Sequence, residues 1–329
     1  MKIEGQLETP IAIVVFNRLD TTMKLLDSIK KYARPKKLYV ISDAAREHVE
    51  GEAEKVQQIR DYIEKAVDWP CEVYKNYAKK NMGCDARSVS GYNWFFSMEE
   101  EGICLEDDCI PCESFYPFCE RMLKEYRYDE RVMVITGLNH IQDDYSAGED
   151  YYFSWFPKLW GWATWARAWR LYDDKVSTWP EFRKSGFMKQ MFTKPAYQYY
   201  YWHFTASYEG FEPWDGKWDF ARWYNMGLGI VPQNNMITNI GAGRPDATHP
   251  APIVSGGSAF MQTTEYTQDI SIRKNVTWDR QFDIASQKKS YKKSRYGWFI
   301  KEGIKEWMKK HFKEQSVNFF KKIYHFVKK

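Results

Sequence analysis

Glu101-Gly-Ile-Cys-Leu-Glu-Asp-Asp-Cys-Ile-Pro111 is a short apolar run that stops on three consecutive carboxylates, Glu106, Asp107 and Asp108. Adjacent negative charges at the end of a buried strand repel one another and resist desolvation, so they must stay wet or meet a cation. A hard divalent ion, magnesium or manganese, suits oxygen ligands of this kind and leaves positions open for a phosphate. The stretch therefore predicts a strand that delivers acids to a metal-assisted site.

The flanking chain supplies the sheet. Upstream, Ile11-Ala-Ile-Val-Val-Phe16 is a continuous β-branched run of the kind found in buried parallel strands, and it ends on Asn17-Arg18. Thr21 to Tyr32 places Met23, Leu25, Leu26 and Ile29 at helical spacing behind an Asp20/Thr21 cap. Lys37 to Ser42 reads as a second strand, closing on Asp43, and Val56 to Ala66 as a second helix. Downstream, Ser114 to Tyr126 reads as a helix and Arg131 to Thr136 as a strand that runs into Gly137-Leu-Asn-His140. This alternation predicts an α/β protein with a Rossmann-like, mostly parallel sheet flanked by helices, in which ligands bind at the carboxyl ends of the strands. Arg18, Asp43 and the acids all fall at such ends. Arg18 alone would pass for a surface ion-pair residue and Asp43 for a turn former; their shared position favours a functional reading. No Gly-x-Gly-x-x-Gly follows the first strand and no Gly-x4-Gly-Lys-Ser/Thr occurs, which disfavours dinucleotide and P-loop sites.

Aromatic residues make up 18% of the chain and crowd between residues 150 and 225. Such a run is either core or the lining of a carbohydrate site, where Trp and Tyr faces cover sugar C–H faces. The net charge of +4 is unevenly placed: Lys288 to Lys329 carries 14 Lys or Arg against 3 Glu, so the remainder is net acidic. Within that tail, Trp298 to Val327 alternates Trp, Phe and Ile with Lys, the pattern of a basic amphipathic helix or two. Docking on an anionic membrane surface fits best, ahead of packing on protein; no nucleic-acid motif accompanies the charge, so no nucleic-acid partner is expected. Neither a signal-peptide core nor a span of about 20 apolar residues is present, and the expected location is cytoplasmic, peripheral to the inner membrane face. The six cysteines read as free thiols. Cys104, Cys109, Cys112 and Cys119 cluster, but Cys109-x-x-Cys112 lacks the second separated pair of a zinc site.

The order Val15-Phe-Asn-Arg18, Ser42-Asp43, Leu105-Glu-Asp-Asp-Cys-Ile-Pro111, Trp160-Gly-Trp-Ala-Thr-Trp165, Trp214-Asp-Gly-Lys-Trp218 and Asp246-Ala-Thr-His249 resembles bacterial GT-A fold glycosyltransferases. These are the family 2-like or nucleotide-diphospho-sugar transferases, and the Glu-Asp-Asp form of the Asp-x-Asp motif is similar to that of N-acetylglucosaminyltransferase I. The resemblance covers roughly residues 10 to 250. It implies that Asp108 binds Mn2+ or Mg2+, that Glu106 and Asp107 bond donor hydroxyls, and that Arg18 contacts the nucleotide. It further implies that Asp43 accepts from uracil, favouring a UDP-sugar, that Asp215 is the catalytic base, and that His249 sits in a loop closing over the diphosphate and reaches the metal or a phosphate. Gly216-Lys217 departs from the aromatic and Gln of relatives, which puts acceptor contacts there in question.

The chemistry stands beside the resemblance. Sugar transfer requires a cation for the departing diphosphate and a base for the incoming hydroxyl. A carboxylate between Trp214 and Trp218 is partly desolvated and so a stronger base, which suits Asp215; Asp219, four residues on, is the alternative and reads equally as a helix-capping acid. A single base implies inversion. Asn139, Trp160, Trp162, Trp214 and Trp218 are the expected acceptor wall, for a glycan or lipid-linked saccharide. The expected domain covers residues 1–275, with a nucleotide-sugar half at 1–140 and an acceptor half at 141–275, before a helical tail at 276–329. A sugar nucleotidyltransferase, or a non-catalytic membrane or nucleic-acid binding module built on the tail, is the competing function.

Overall fold

The computed structural model describes residues 1–210, 214–244, 246 and 261–291. His249 and the amphipathic run from Trp298 to Val327 lie outside the described residues. The chain divides into two compact units, Met1–Asp174 with Pro213–Ala285, and Lys175–Glu212 with Ser286–Lys329.

The first unit opens with β1 (Ile11–Val15), α1 (Leu19–Tyr32), β2 (Lys37–Ser42), α2 (Glu52–Ala66), β3 (Glu72–Tyr77), α3 (Cys84–Met98) and β4 (Glu101–Glu106). β1 pairs in parallel with β2 on one side and β4 on the other, Ile13 facing Val40 and Leu105, and β3 adds to β2 in parallel. The chain thus winds outward from β1 to β3 and then crosses back to β4. The crevice between the carboxyl ends of β1 and β4 is the point where strand order reverses, the usual ligand position in open α/β sheets.

Beyond β4 come β5 (Cys109–Pro111), α4 (Phe115–Glu125), β6 (Val132–Leu138), β7 (Tyr151–Ser154), β8 (Lys158–Trp165) and the short α5 (Ala166–Trp169). β8 runs antiparallel between β4 and β6; β9 (Leu228–Pro232) is parallel to β6, and β7 closes that edge antiparallel to β9. The eight-stranded order is β3-β2-β1-β4-β8-β6-β9-β7. β10 (Ile237–Asn239) pairs antiparallel with β5 in a separate two-stranded ribbon beside the acids.

Local sequence accounts for most of this. Ile11, Ala12, Ile13 and Val15 are buried, as the apolar run requires, and Leu25, Leu26 and Ile29 form the inward stripe of α1. Each of these Ile, Leu and Val side chains contributes about 1.5–3 kcal/mol on burial. Met23 instead lies exposed. The cap also differs from expectation: α1 starts at Leu19, and the Thr21 and Thr22 hydroxyls donate back to the Arg18 carbonyl at 3.1 and 2.9 Å. β3 escapes a pattern search because its residues are partly or fully exposed at the sheet edge. In β8, Gly161 has φ +58° and a Cβ there would lie 2.3 Å from Ile237, so only glycine fits between Trp160 and Trp162.

The aromatic run becomes a core. Tyr92 of α3 packs edge-on against Trp162 and Trp214, both 5.2 Å away, and Trp169 lies 5.1 Å from Trp218. At the other edge, Asp279 accepts from the Phe153 amide at 2.7 Å, and Asp283 accepts from the Trp155 amide at 2.9 Å, Trp278 Nε1 at 2.6 Å and the Ser154 hydroxyl. These bonds tie the chain to β7 through Asp283, and the first compact unit runs to Ala285. The helix α10 (Arg280–Ser290) begins there.

The second unit contains α6 (Trp179–Phe182), α7 (Phe187–Met191) and α8 (Lys194–Tyr208). Trp179 is fully buried, 5.6 Å from Phe204, with its Nε1 donating to Thr205. α9 (Trp214–Tyr224) belongs to the first unit. Among the described residues, no helix is long and apolar enough to cross a membrane.

Candidate functional site

The acids emerge where β4 ends. Asp107 turns inward: its amide donates to the Val14 carbonyl at 3.1 Å, and its carboxylate accepts from Arg18 and, at 3.3 Å, from Thr21. Arg18 also reaches Asp108 at 3.0 Å, so one guanidinium spans both carboxylates across the β1/β4 crevice. Burial still dominates Asp107, raising its pKa to about 6 in spite of Arg18. Burial also raises Glu106, to about 8, helped by the charges of Asp108, Asp215 and Asp107 and opposed by Arg18.

Asp215, in the first turn of α9, is among the charges that raise Glu106. Trp214 donates its amide to Asp85 at 3.2 Å, joining the amino ends of α9 and α3. Asp215 is exposed, with one oxygen accepting from the Gly216 amide at 2.9 Å. Cys84, at the start of α3, is exposed, yet its thiol is pushed up to about 12, by desolvation first and then by the charges of Glu106, Asp85 and Asp215. The competing acid, Asp219, is bound by Arg222, which is fully buried in the same helix.

Asp108 is framed by β10. The Ile240 amide donates to the Asp108 carbonyl at 2.8 Å, and Asn239 Nδ2 lies 3.4 Å from its carboxylate while Asn239 Oδ1 accepts from the Gly241 and Ala242 amides. A Cβ on Gly241 would stand 2.0 Å from Asp108 Oδ2, so glycine is what allows this loop to lie on the carboxylate. Arg244 then pins the loop to α1 through Asp20 at 2.6 Å and to Asp246 at 2.8 Å. The donor set fits a divalent cation: Glu106, Asp108 and Cys109 place ligand atoms within 4.8 Å of one another, with the two carboxylates partly exposed.

The carboxyl end of β2 is built differently. Asp43 is buried, and its carboxylate accepts from the Ala44, Met82 and Gly83 amides at 2.8–3.0 Å and from Asn81 at 3.1 Å. Four donors match the lone-pair capacity of a carboxylate, so Asp43 anchors residues 81–83 to the end of β2. Beside it, at the ends of β2 and β3 rather than over the acids, lies a cleft of about 510 Å³ lined by Ala44, Ala45, Val56, Arg60, Tyr77 and Lys79 among others. Arg60 stacks over Tyr77 at 4.4 Å and donates to the Asp43 carbonyl.

Most of the expected acceptor wall is interior. Trp162, Trp214 and Trp218 are 1%, 4% and 0% exposed and belong to the aromatic core. Asn139 is fully buried and donates to the Pro232 and Gln233 carbonyls, stitching β6 to β9. Trp160 alone of the five keeps a partly exposed side chain.

No protein-family model matches the chain, and a search of curated proteins finds no match. Among solved structures, a mannosyltransferase from Pyrobaculum calidifontis, in complex with GDP-Man and Mn2+, aligns with a TM-score of 0.35 and 11% identity. The alignment covers 48% of this chain and 44% of that one. Likeness at this level fixes neither reaction nor ligand.

Sequence reading does not single out Cys84, Asp85, Asn239 or Gly241. None belongs to a dense local motif; Asn239 and Gly241 reach Asp108 only because β10 pairs with β5 across more than 120 residues of chain.

Proposed function

We propose that this chain is a metal-dependent glycosyltransferase that moves a sugar from a UDP-sugar to a hydroxyl of a glycan or lipid-linked saccharide, with inversion. The observation that carries the reading is the meeting of Arg18, Glu106, Asp107 and Asp108 at the β1/β4 crevice with Asp215 on the facing helix. Asp108 and Glu106 would hold Mn2+ or Mg2+, with Asp107 held back by Arg18. A divalent ion there neutralises charge developing on the departing diphosphate. Arg18, already shared between two carboxylates, would turn one nitrogen to a phosphate oxygen. Asp215 accepts the proton of the attacking hydroxyl. Asp43 orders the nucleotide side by holding residues 81–83, and uracil would have to displace one of its donors to bond it. Trp160 is the surface available to a sugar face, and His249 would complete the loop that Arg244 ties to α1. The basic tail would dock on an anionic membrane surface at its inner face, bringing the site to a lipid-linked acceptor.

A panel of nucleotide sugars, assayed for metal-dependent release of nucleoside diphosphate with candidate acceptors, tests this. UDP release from one donor, lost in Asp108→Asn, is the expected result. Pyrophosphate release from a nucleoside triphosphate and a sugar phosphate would instead identify a nucleotidyltransferase.

A further inference from the structure

We propose that the cleft between α2 and the carboxyl ends of β2 and β3 binds a small organic phosphate monoester on Arg60 and Lys79, at a site separate from the acidic crevice. The inference goes beyond the glycosyltransferase reading and stands without it. The cleft has a volume of about 510 Å³, and its walls are of two kinds. Ala44, Ala45, Val56 and Ala78 give an apolar floor, and Arg60 and Lys79 bring positive charge to it. None of the crevice acids, Glu106, Asp107 and Asp108, lines it.

Charge selects the ligand. Arg60 donates through Nε to the Ser42 hydroxyl at 3.1 Å and through Nη2 to the Asp43 carbonyl at 3.0 Å, both neutral acceptors. Its Nη1 has no partner among the described residues and is not shut off from solvent. Behind it Arg87, 2% exposed in the first turn of α3, donates only to the neutral carbonyl and side-chain oxygens of Asn76, and its buried Nε bonds nothing. Asp43 is the carboxylate whose charge acts on both guanidiniums, but its own oxygens are filled by three amides and Asn81. Burial pulls both arginines below their ordinary value, and Arg60 adds its repulsion to Arg87. Lys79 is exposed, and among the described residues it has no ion pair. Partly desolvated cations in excess of their counter-charge favour an anion. A phosphate monoester, at roughly −1.5 to −2 near neutral pH, matches Arg60 and Lys79 together, and its charge-assisted bonds to them are of the strong kind. The alanine and valine floor, with more volume than a phosphate fills, suits an uncharged apolar body beyond it.

The test is calorimetric titration of the full chain, in EDTA, with phenyl phosphate and with inorganic phosphate. The expected result is saturable, metal-independent binding of phenyl phosphate, tighter than that of inorganic phosphate. It should weaken by at least about tenfold in Arg60→Gln and in Lys79→Ala, and stay unchanged in Asp108→Asn. Arg60→Gln also removes the stack on Tyr77 and could unfold the cleft; Lys79 is exposed, so Lys79→Ala decides if that variant misfolds. Absence of saturable binding, or binding kept in Lys79→Ala and lost in Asp108→Asn, would overturn the site. Inorganic phosphate bound as tightly as phenyl phosphate would overturn the apolar part of the ligand. Displacement of phenyl phosphate by UDP with Mn2+ would overturn the separation from the crevice. Release of UDP from a nucleotide sugar is not read in any of these titrations, so failure here leaves the glycosyltransferase reading standing, and the reverse holds.

Discussion

Asp283 and the Glu106–Asp108 run are both acids carried into the interior, but their company differs. Asp283 is met by three donors, the Ser154 hydroxyl, the Trp155 amide and Trp278 Nε1, all fixed by the fold. Asp43 is likewise saturated, by three amides and Asn81. Glu106 and Asp108 face one another, Asp107 and Asp215, with Arg18 as the cation that opposes them. Buried acids whose donors are fixed by the fold hold a structure together. Acids left in like-charge company store a demand for a cation, and that imbalance is what makes the end of β4 the candidate site.

The largest expected contrast follows directly. Asp108→Asn should lower metal-dependent UDP release by roughly 10³-fold or more while leaving the unfolding midpoint nearly unchanged, because it removes a ligand from an unsatisfied cluster. Asp283→Asn should do the reverse, leaving the turnover of folded protein unaltered. Steady-state assays paired with thermal melts separate the two, and equal turnover losses in both variants would break the comparison.

Next in size is the base. Asp215→Asn should reduce kcat by about 10²–10⁴-fold with little change in KM for the donor. Asp219→Asn should have a smaller effect, read chiefly in stability, since its carboxylate is the partner of the buried Arg222. Activity lost in Asp219→Asn and kept in Asp215→Asn would transfer the role.

The contrast also explains what was legible in the chain. β1, β2, β4 and their helices are visible because buried parallel strands need unbroken apolar runs, and the acids are visible because three carboxylates in a row have no cheap structural use. The edge strand β3 lacks such a run. The aromatic segment is ambiguous in principle: Trp faces suit sugars and cores equally, and only packing reveals Trp162, Trp214 and Trp218 as interior. Nor does the sequence position of Asp43 disclose that residues 81–83 return to it. Asn239, Gly241 and the loop pinned by Arg244 depend on long-range pairing that no local pattern records.

A third test addresses the filled acids. Asp283→Ala leaves three donors without this partner, two of them buried at a cost of about 1–3 kcal/mol each, so a net loss of roughly 2–5 kcal/mol in urea unfolding is expected. A loss below 1 kcal/mol would mean that the β7 attachment is not part of the cooperative core.

The smallest effect is in pH. Burial raises Asp283 to about 7, Asp107 to about 6 and Glu106 to about 8, all above the unfolded carboxylate range. A folded pKa above the unfolded one means that the folded state holds the proton longer. The stability these groups contribute is therefore full below about pH 4 and is lost as pH rises through 6, 7 and 8. Each group contributes a slope of at most about 1.4 kcal/mol per pH unit within its window. Melting temperatures of metal-free protein should therefore fall between pH 5 and 8. Asp283→Asn should flatten the portion up to about pH 7, and Glu106→Gln the portion up to about pH 8. Adding Mn2+ with UDP should offset the Glu106 portion alone, because a bound cation replaces the proton there and has no access to Asp283. A metal-insensitive slope in the wild type, or one equally reduced in Asp283→Asn and Glu106→Gln, would show that the two sets of acids are not distinguished by their need for a cation.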